Sequence, residues 1–260
     1  MEKDMLDREK DYLVKALSKG LTILEIFDSA NTEYSVQEIS KKLKINRTTA
    51  FRLVKTLAAK GFLEENNSKY QLGLKLLELG NLVNYNMDLR QNASPLLAKL
   101  AQKLSLTVHL VVKEGNEAIY IDKEDPLDAV ITYSRVGKRL PLYCTAVGKV
   151  LLCDLSSDEI KQVFLGVEFS RFTANTITSV DSLTSEIKLA KESGYASDNE
   201  ELQEGMICIA APVRNHRNEV IAACSVTGID KQFSNLDQDK VIHELLDTAN
   251  KISGRMGWQG

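Results

Sequence analysis

Residues 35–73 read SVQEISKKLKINRTTAFRLVKTLAAKGFLEENNSKYQLG, and this stretch decides the N-terminal fold. Ser35 with Glu38 makes a capping box, the Ser oxygen taking an N3 backbone N–H while the Glu reaches back. The helix it opens spaces Val36, Ile39 and Leu43 along one face. Lys44-Ile45 is a turn, and Asn46 is a good N-cap for a second helix from Arg47 to about Lys60. That helix has a narrow apolar seam of Ala50, Leu53, Val54 and Leu57, while Arg47, Thr48, Thr49, Phe51, Arg52, Lys55 and Thr56 lie opposite. FLEENNSKYQL then has strand, turn, strand character, with Asn66-Asn67-Ser68 as the turn and Lys69 at its tip. Together these pieces predict a winged helix-turn-helix whose second helix can enter a DNA major groove.

Charge sharpens that reading. From 41 to 60 every charged residue is basic (Lys41, Lys42, Lys44, Arg47, Arg52, Lys55, Lys60), in a chain whose net charge is −3. A field of one sign on a helix pair suits a phosphate backbone, although the same pattern can also be a plain solvated face. Arg47, Thr48, Thr49 and Arg52 are the candidates for the groove, since Arg can read guanine bidentately and a Thr methyl can contact thymine. Lys55 and Lys69 are expected on phosphates, positioning the protein without specifying sequence. Phe51 either touches a thymine methyl or packs on the first helix.

At 260 residues, 43% hydrophobic and 27% charged, the chain suits two ordinary globular domains. The opening MEKDMLDREKDYLVK alternates charges without an apolar run, so no secretory signal is expected and the cytoplasm is. No stretch approaches the ~20 apolar residues of a membrane helix. Cys144, Cys153, Cys208 and Cys224 form no CxxC pair, so neither a disulfide framework nor a zinc motif is expected, and Cys144, Cys208 and His109 lack metal-motif spacing. His109, His216 and His243 have no nucleophile motif nearby. The reading calls for no cofactor and no catalytic site.

Ahead of the opening stretch, Val14, Leu17, Leu21, Leu24 and Phe27 are spaced as a helix expected to pack behind the helix pair. After it, residues 74–91 read as a linker helix whose apolar residues nearly encircle it, as a helix packing on a second copy would have. A further helix is expected over 93–105 with Pro95 in its first turn. The period then changes to two. TVHLVVKEG and EAIYIDKED form a hairpin around Gly115-Asn116, and DAVITYSRV reads as a third strand. GKRLPLYCTAVGKVLL is a loop entering a short helix. Ser156 and Glu159 cap another, and Thr178 opens one that ends at Gly194. MICIAAPVR and EVIAACSVTGID are strands around 215–218, and a helix from Leu236 to about Ser253 closes the chain. The expected organisation is α+β: a winged helix-turn-helix over 1–73, a linker helix over 74–91, and an antiparallel sheet flanked by helices over 92–260.

NRTTAFRLVKTLAAKGFL, LPLYCTAVGKVLL, GYASDNEELQEGMICIAAPV and VIAACSVTG, in that order, resemble the IclR family of bacterial transcriptional regulators over nearly the whole chain. The resemblance implies a GAF-like effector domain behind the winged helix, assembly as a homodimer or dimer of dimers, and regulation, usually repression, of catabolic operons through double-stranded DNA. It also implies an effector pocket. By position the backbone N–H groups of Ala146 and Val147 would donate, Asp198, Cys208, Ser225 and Thr227 would form a polar wall, and Leu140 an apolar contact. Small residues at a helix start leave N–H groups outward, which favours an anion such as a carboxylate, and Cys208, Ser225 and Thr227 alternate on two strands. Ala146 stands where some relatives carry glycine and Tyr143 where they often have histidine. Other fates remain open for these residues: Cys208 as a buried small hydrophobe, Asp198 as a turn cap. An enzyme for a small acid with an appended nucleic-acid module is the competing function, against which stands the lack of a nucleophile, base or metal constellation.

Overall fold

The computed structural model describes residues 13–28, 30–85, 88–127 and 134–260. They fall into two compact units that divide between 86 and 87.

The first unit runs α1 (Lys15–Glu25), β1 (Tyr34–Ser35), α2 (Val36–Lys42), α3 (Arg47–Ala59), β2 (Leu63–Asn66), β3 (Lys69–Leu72) and α4 (Lys75–Tyr85). Its local chemistry follows the sequence closely. The Glu38 N–H donates to Ser35 Oγ at 3.3 Å and the Ser35 N–H to Glu38 Oε2 at 2.7 Å, closing the capping box that starts α2. Lys44 takes a φ of +52° in the turn, and Asn46 Oδ1 accepts the Thr48 N–H at 2.8 Å to start α3. Ile39, Ala50 and Val54 meet Tyr34, Leu63 and Tyr70 in one core, with β1 and β2 flanking β3.

Two expectations need correction. The hairpin turn is the two residues Asn67-Ser68, both at positive φ, as a type I′ turn demands. Asn66 and Lys69 are therefore a paired rung of the ladder and Lys69 is not at the tip. On α1 only the end of the stripe packs. Val14, Leu17 and Leu21 are 66%, 62% and 51% exposed, whereas Leu24 and Phe27 reach the core beside buried Ile23 and partly buried Ile26. Helical spacing reveals an apolar face but not how much of its length finds the core.

The second unit begins with α5 (Asp88–Leu104), so 88–91 belong to it, and Pro95 sits inside the helix rather than in its first turn. There follow β4 (Thr107–Glu114), β5 (Glu117–Glu124), β6 (Arg139–Pro141), α6 (Ala146–Leu151), α7 (Ser157–Val163), α8 (Val180–Ser193), β7 (Ala196–Asn199), β8 (Met206–Arg214), β9 (Val220–Ile229), α9 (Asp230–Phe233) and α10 (Gln238–Arg255). The strand expected over 128–136 lies, through 133, outside the described residues. The six strands form an antiparallel sheet in the order β6-β5-β4-β9-β8-β7. Alternation sorts its faces. Ala222, Cys224 and Val226 pack with α5 and α10, while Ala223 packs with α6, α7 and α8. Ser179, one residue later than expected, caps α8 by accepting the Ser182 N–H at 3.2 Å.

The edge strand β7 was unread in the sequence because ASDN lacks an apolar alternation. Its exposed side is occupied: the Ser197 carbonyl accepts from Lys149 Nζ at 2.8 Å and the Asn199 carbonyl from Asn175 Nδ2 at 3.1 Å. Among the described residues no helix is long and apolar enough to cross a membrane.

Candidate functional site

The outward face of α3 presents Arg47, Thr48, Thr49, Arg52 and Lys55, all exposed. A groove of about 580 Å³ runs between the start of α2, α3 and the wing, lined among others by Gln37, Arg47, Thr48, Phe51, Lys55 and Ser68. Phe51, 49% exposed and in that groove, does not pack on α1. The two lysines expected on phosphates are engaged within the unit. Lys55 Nζ meets Glu65 Oε2 at 2.6 Å, and Lys69 Nζ pairs with Glu33. Exposed pairs of this kind are screened by solvent and weak, so a phosphate can displace either carboxylate.

In the second unit, two cross-strand rows run over the face that carries α6. Asp198 pairs with Cys208 and Cys208 with Thr227. The neighbouring row runs from Ala210 to Ser225 to His109. Leu140, Val147, Asp198, Cys208, Ser225 and Thr227 line one enclosed cavity together with Tyr120, Thr145, Leu202, Gln203 and Met206. Ala146 is the exception among the residues named from sequence: its side chain is fully buried in the core and does not line the cavity. The first residue of a helix offers its N–H, not its methyl, and the N–H groups of Ala146 and Val147 have no intrahelical acceptor. Thr145 caps α6 by accepting from the Gly148 N–H at 3.2 Å and donates to the Pro141 carbonyl at 2.9 Å.

The cavity measures about 20 Å³, room for about one water. A ligand of several heavy atoms needs the cavity walls to part. Burial shapes its electrostatics. Asp198, on β7 and not in a loop, has its carboxyl pushed up to about 7 by burial, against the lowering effect of the Glu201 N–H it accepts at 2.7 Å. It is thus both a turn cap and a wall residue. Burial pushes the Cys208 thiol up to about 12, so it stays protonated, and Thr227 Oγ1 donates to its sulfur at 3.3 Å. Ser225 Oγ is near enough to influence that thiol but makes no hydrogen bond of normal geometry.

Behind the wall lies an ion pair that sequence reading missed. Lys149 Nζ, fully buried, contacts Glu201 Oε1 at 2.5 Å and Glu186 Oε2 at 3.3 Å. The Thr173 and Thr176 hydroxyls hold the Glu200 and Glu201 carbonyls at 2.6 and 2.7 Å. On β5, the pairing skips Ile121, since Val111 faces Tyr120 and Leu110 faces Asp122. This bulge turns Tyr120 to the cavity and Asp122 to α5, where it meets Arg90 Nε at 3.2 Å and the Ser94 hydroxyl. Among the described residues no cluster of His, Cys, Asp and Glu could hold a metal.

With both units in view, comparison with known proteins decides the family. The model for the bacterial transcriptional regulator IclR C-terminal domain matches residues 82–254, and that for the IclR helix-turn-helix domain matches 16–67. The chain belongs to the IclR family. It is 35% identical to the HTH-type transcriptional regulator XynR of Escherichia coli over 95% of this chain and 98% of that one. With the HTH-type transcriptional regulator KdgR of the same organism the identity is 36%, over 97% and 96% of the two chains. An IclR homolog from Microbacterium hydrocarbonoxydans, crystallised with 4-hydroxybenzoate, superposes with a TM-score of 0.81 at 25% identity, covering 93% of this chain and 98% of that one. The protein is a transcriptional regulator of the IclR family and not an enzyme.

For an IclR regulator, the side chains missed from sequence are informative. Tyr120, Thr145 and the pair Gln203 and Met206 reach the cavity from three different places in the chain. Only the period-two register of β5 could have pointed to Tyr120, and the bulge at Ile121 hides even that.

Proposed function

We propose that the protein binds a pseudopalindromic operator as a homodimer or dimer of dimers and represses a catabolic operon in the cytoplasm. A small carboxylate held in the second unit controls it. In this reading residues 1–73 bind DNA, the helix that follows them links, and the unit that begins with α5 binds the effector. The observation that carries it is the enclosed cavity walled by Asp198, Cys208, Ser225 and Thr227, in a chain whose other unit exposes a basic, polar α3. The acid held by the Microbacterium homolog is a ligand of the kind proposed. Self-association is supported by apolar side chains left bare within the first unit, namely Leu17 and Leu21 on α1, Leu74, and Leu77 on α4.

Regulation is then linkage. An effector that prefers one arrangement of its own unit shifts the population, and DNA affinity changes reciprocally by the same factor. Arg52→Ala is expected to weaken operator binding roughly 10- to 100-fold, the range of one lost base contact, while the thermal shift given by an effector stays that of the wild type. Gel shifts and calorimetry read the two. Unchanged operator affinity would remove α3 as the reading helix.

The carboxylate also implies a pH dependence. Beside a bound anion Asp198 must carry its proton, and its folded value is about 7. Effector affinity is therefore expected to be level below about pH 6 and to fall by up to about tenfold per pH unit above 7. Asp198→Asn should flatten that profile. Stability of the free protein follows the same sign. The native state holds a proton that the unfolded carboxyl releases near 3.8, so this group's contribution declines as pH rises from about 4 to 7. A wild-type affinity that is constant from pH 6 to 8.5 would refute the arrangement.

A further inference from the structure

Phe51 stands on the outward face of α3 with half of its surface bare. Among the described residues from 30 to 71 it is the one large apolar side chain left exposed. Its place is the middle of the basic face: Arg47 lies one turn before it, Lys55 one turn after, and Arg52 beside it, all exposed. The ring is also held. Lys55 Nζ, fixed by Glu65 of β2 at 2.6 Å, lies 5.9 Å from the Phe51 ring centroid and 5.6 Å from that of Tyr70, within the reach of a cation–π contact. Arg47, Thr48, Phe51 and Lys55 border one groove together with Gln37 of α2 and Ser68 of the wing turn.

An apolar ring kept bare at the centre of such a face suits an occupant that is apolar where it meets the ring and anionic around it. A second copy presenting this same face would set cations against cations, so the charges disfavour it. In the DNA major groove the base edges present donors and acceptors, and thymine alone adds an apolar group, its C5 methyl. The flanking Arg47, Arg52 and Lys55 suit the phosphates and guanines around such a base. To the polar edges of the other bases a phenyl ring offers no partner, and it would strip water from them. Resting on the DNA-binding reading above, we infer that Phe51 is a specificity-determining residue of α3, which selects thymine by covering its C5 methyl.

Selection of randomised DNA duplexes on the full-length protein supplies a site for the test. Each thymine in it is replaced by uracil, one at a time, which removes the methyl and leaves the hydrogen-bonding edge as it was. At one or more positions the wild type should lose roughly fourfold in affinity, the worth of one buried methyl, as read by fluorescence anisotropy. Phe51→Ala should bind the thymine and uracil duplexes for that position equally, whereas Phe51→Leu should keep part of the difference. The ring is half bare, so Phe51→Ala is expected to fold, and its melting midpoint checks that. Should it not, Phe51→Gln takes its place with the same expected outcome. If every uracil effect survives in the variant, the methyls are read by other residues, and if no position responds to uracil, the ring reads no methyl. Either result overturns the assignment and leaves DNA binding by α3 standing. Selection that enriches no duplex would overturn both.

Discussion

Replacing Lys149 by methionine is expected to cost about 3–5 kcal/mol of stability, the penalty for stranding a buried charge. The loss has two parts. Glu201, whose carboxyl burial already pushes upward, would lose its close cation, and the Ser197 carbonyl would lose its donor. A stability of 5–15 kcal/mol is ordinary for a domain, so the fold survives but with a clearly lower midpoint. The protein's one tryptophan, Trp258, bonds Asn218 through Nε1 at 2.9 Å, and its fluorescence in urea reports the second unit alone. Lys149→Met with Glu201→Leu should recover most of the loss, because an apolar pair can replace a buried ion pair. A single variant that melts with the wild type would mean that water reaches the pair.

Gly148→Ala should be comparably severe. A Cβ at this position would stand 1.9 Å from the Leu142 carbonyl oxygen and 2.5 Å from the Leu142 carbonyl carbon and Cα. All three are backbone atoms, so no side chain can rotate away, and the turn from 142 to 148 must open. The expected cost is about 3 kcal/mol or more, at the upper end of overpacking. Because Gly148 also donates to the cap of α6, the N–H groups of Ala146 and Val147 would shift with it. Effector binding should fall even where the protein remains folded, as read by calorimetry below the midpoint of the same urea curve. Unaltered stability and affinity would show that α6 tolerates a wider turn.

How much of this was legible in the sequence depended on the range of the interaction. Ser35 with Glu38, Asn46 and Ser156 with Glu159 act within one helical turn, and each caps as expected. The strands of the long hairpins were legible as short apolar runs bounded by turn residues, and they are buried on both faces of the sheet. What failed was choice among equals. On α1 spacing could not tell that only Leu24 and Phe27 of the stripe reach the core. β7 is polar because its partners are side chains from elsewhere, so no periodicity marked it. Of the cavity, the residues named from resemblance other than Ala146 share one lining, whereas Lys149 and Glu201 lie 52 positions apart and nothing local connects them. His109 carries no metal or nucleophile spacing in the sequence, and only the strand register puts it beside Ser225.

The side chains that close β7 have a consequence for the protein in a crowded cell. A sheet edge with open carbonyls is a template on which another chain can add, and edge-to-edge growth leads to aggregates. Here Lys149 and Asn175 occupy alternate carbonyls of the four-residue strand. The same lysine that neutralises Glu201 therefore keeps neighbouring sheets from stitching onto this one. Copies of the chain are left to meet through other surfaces.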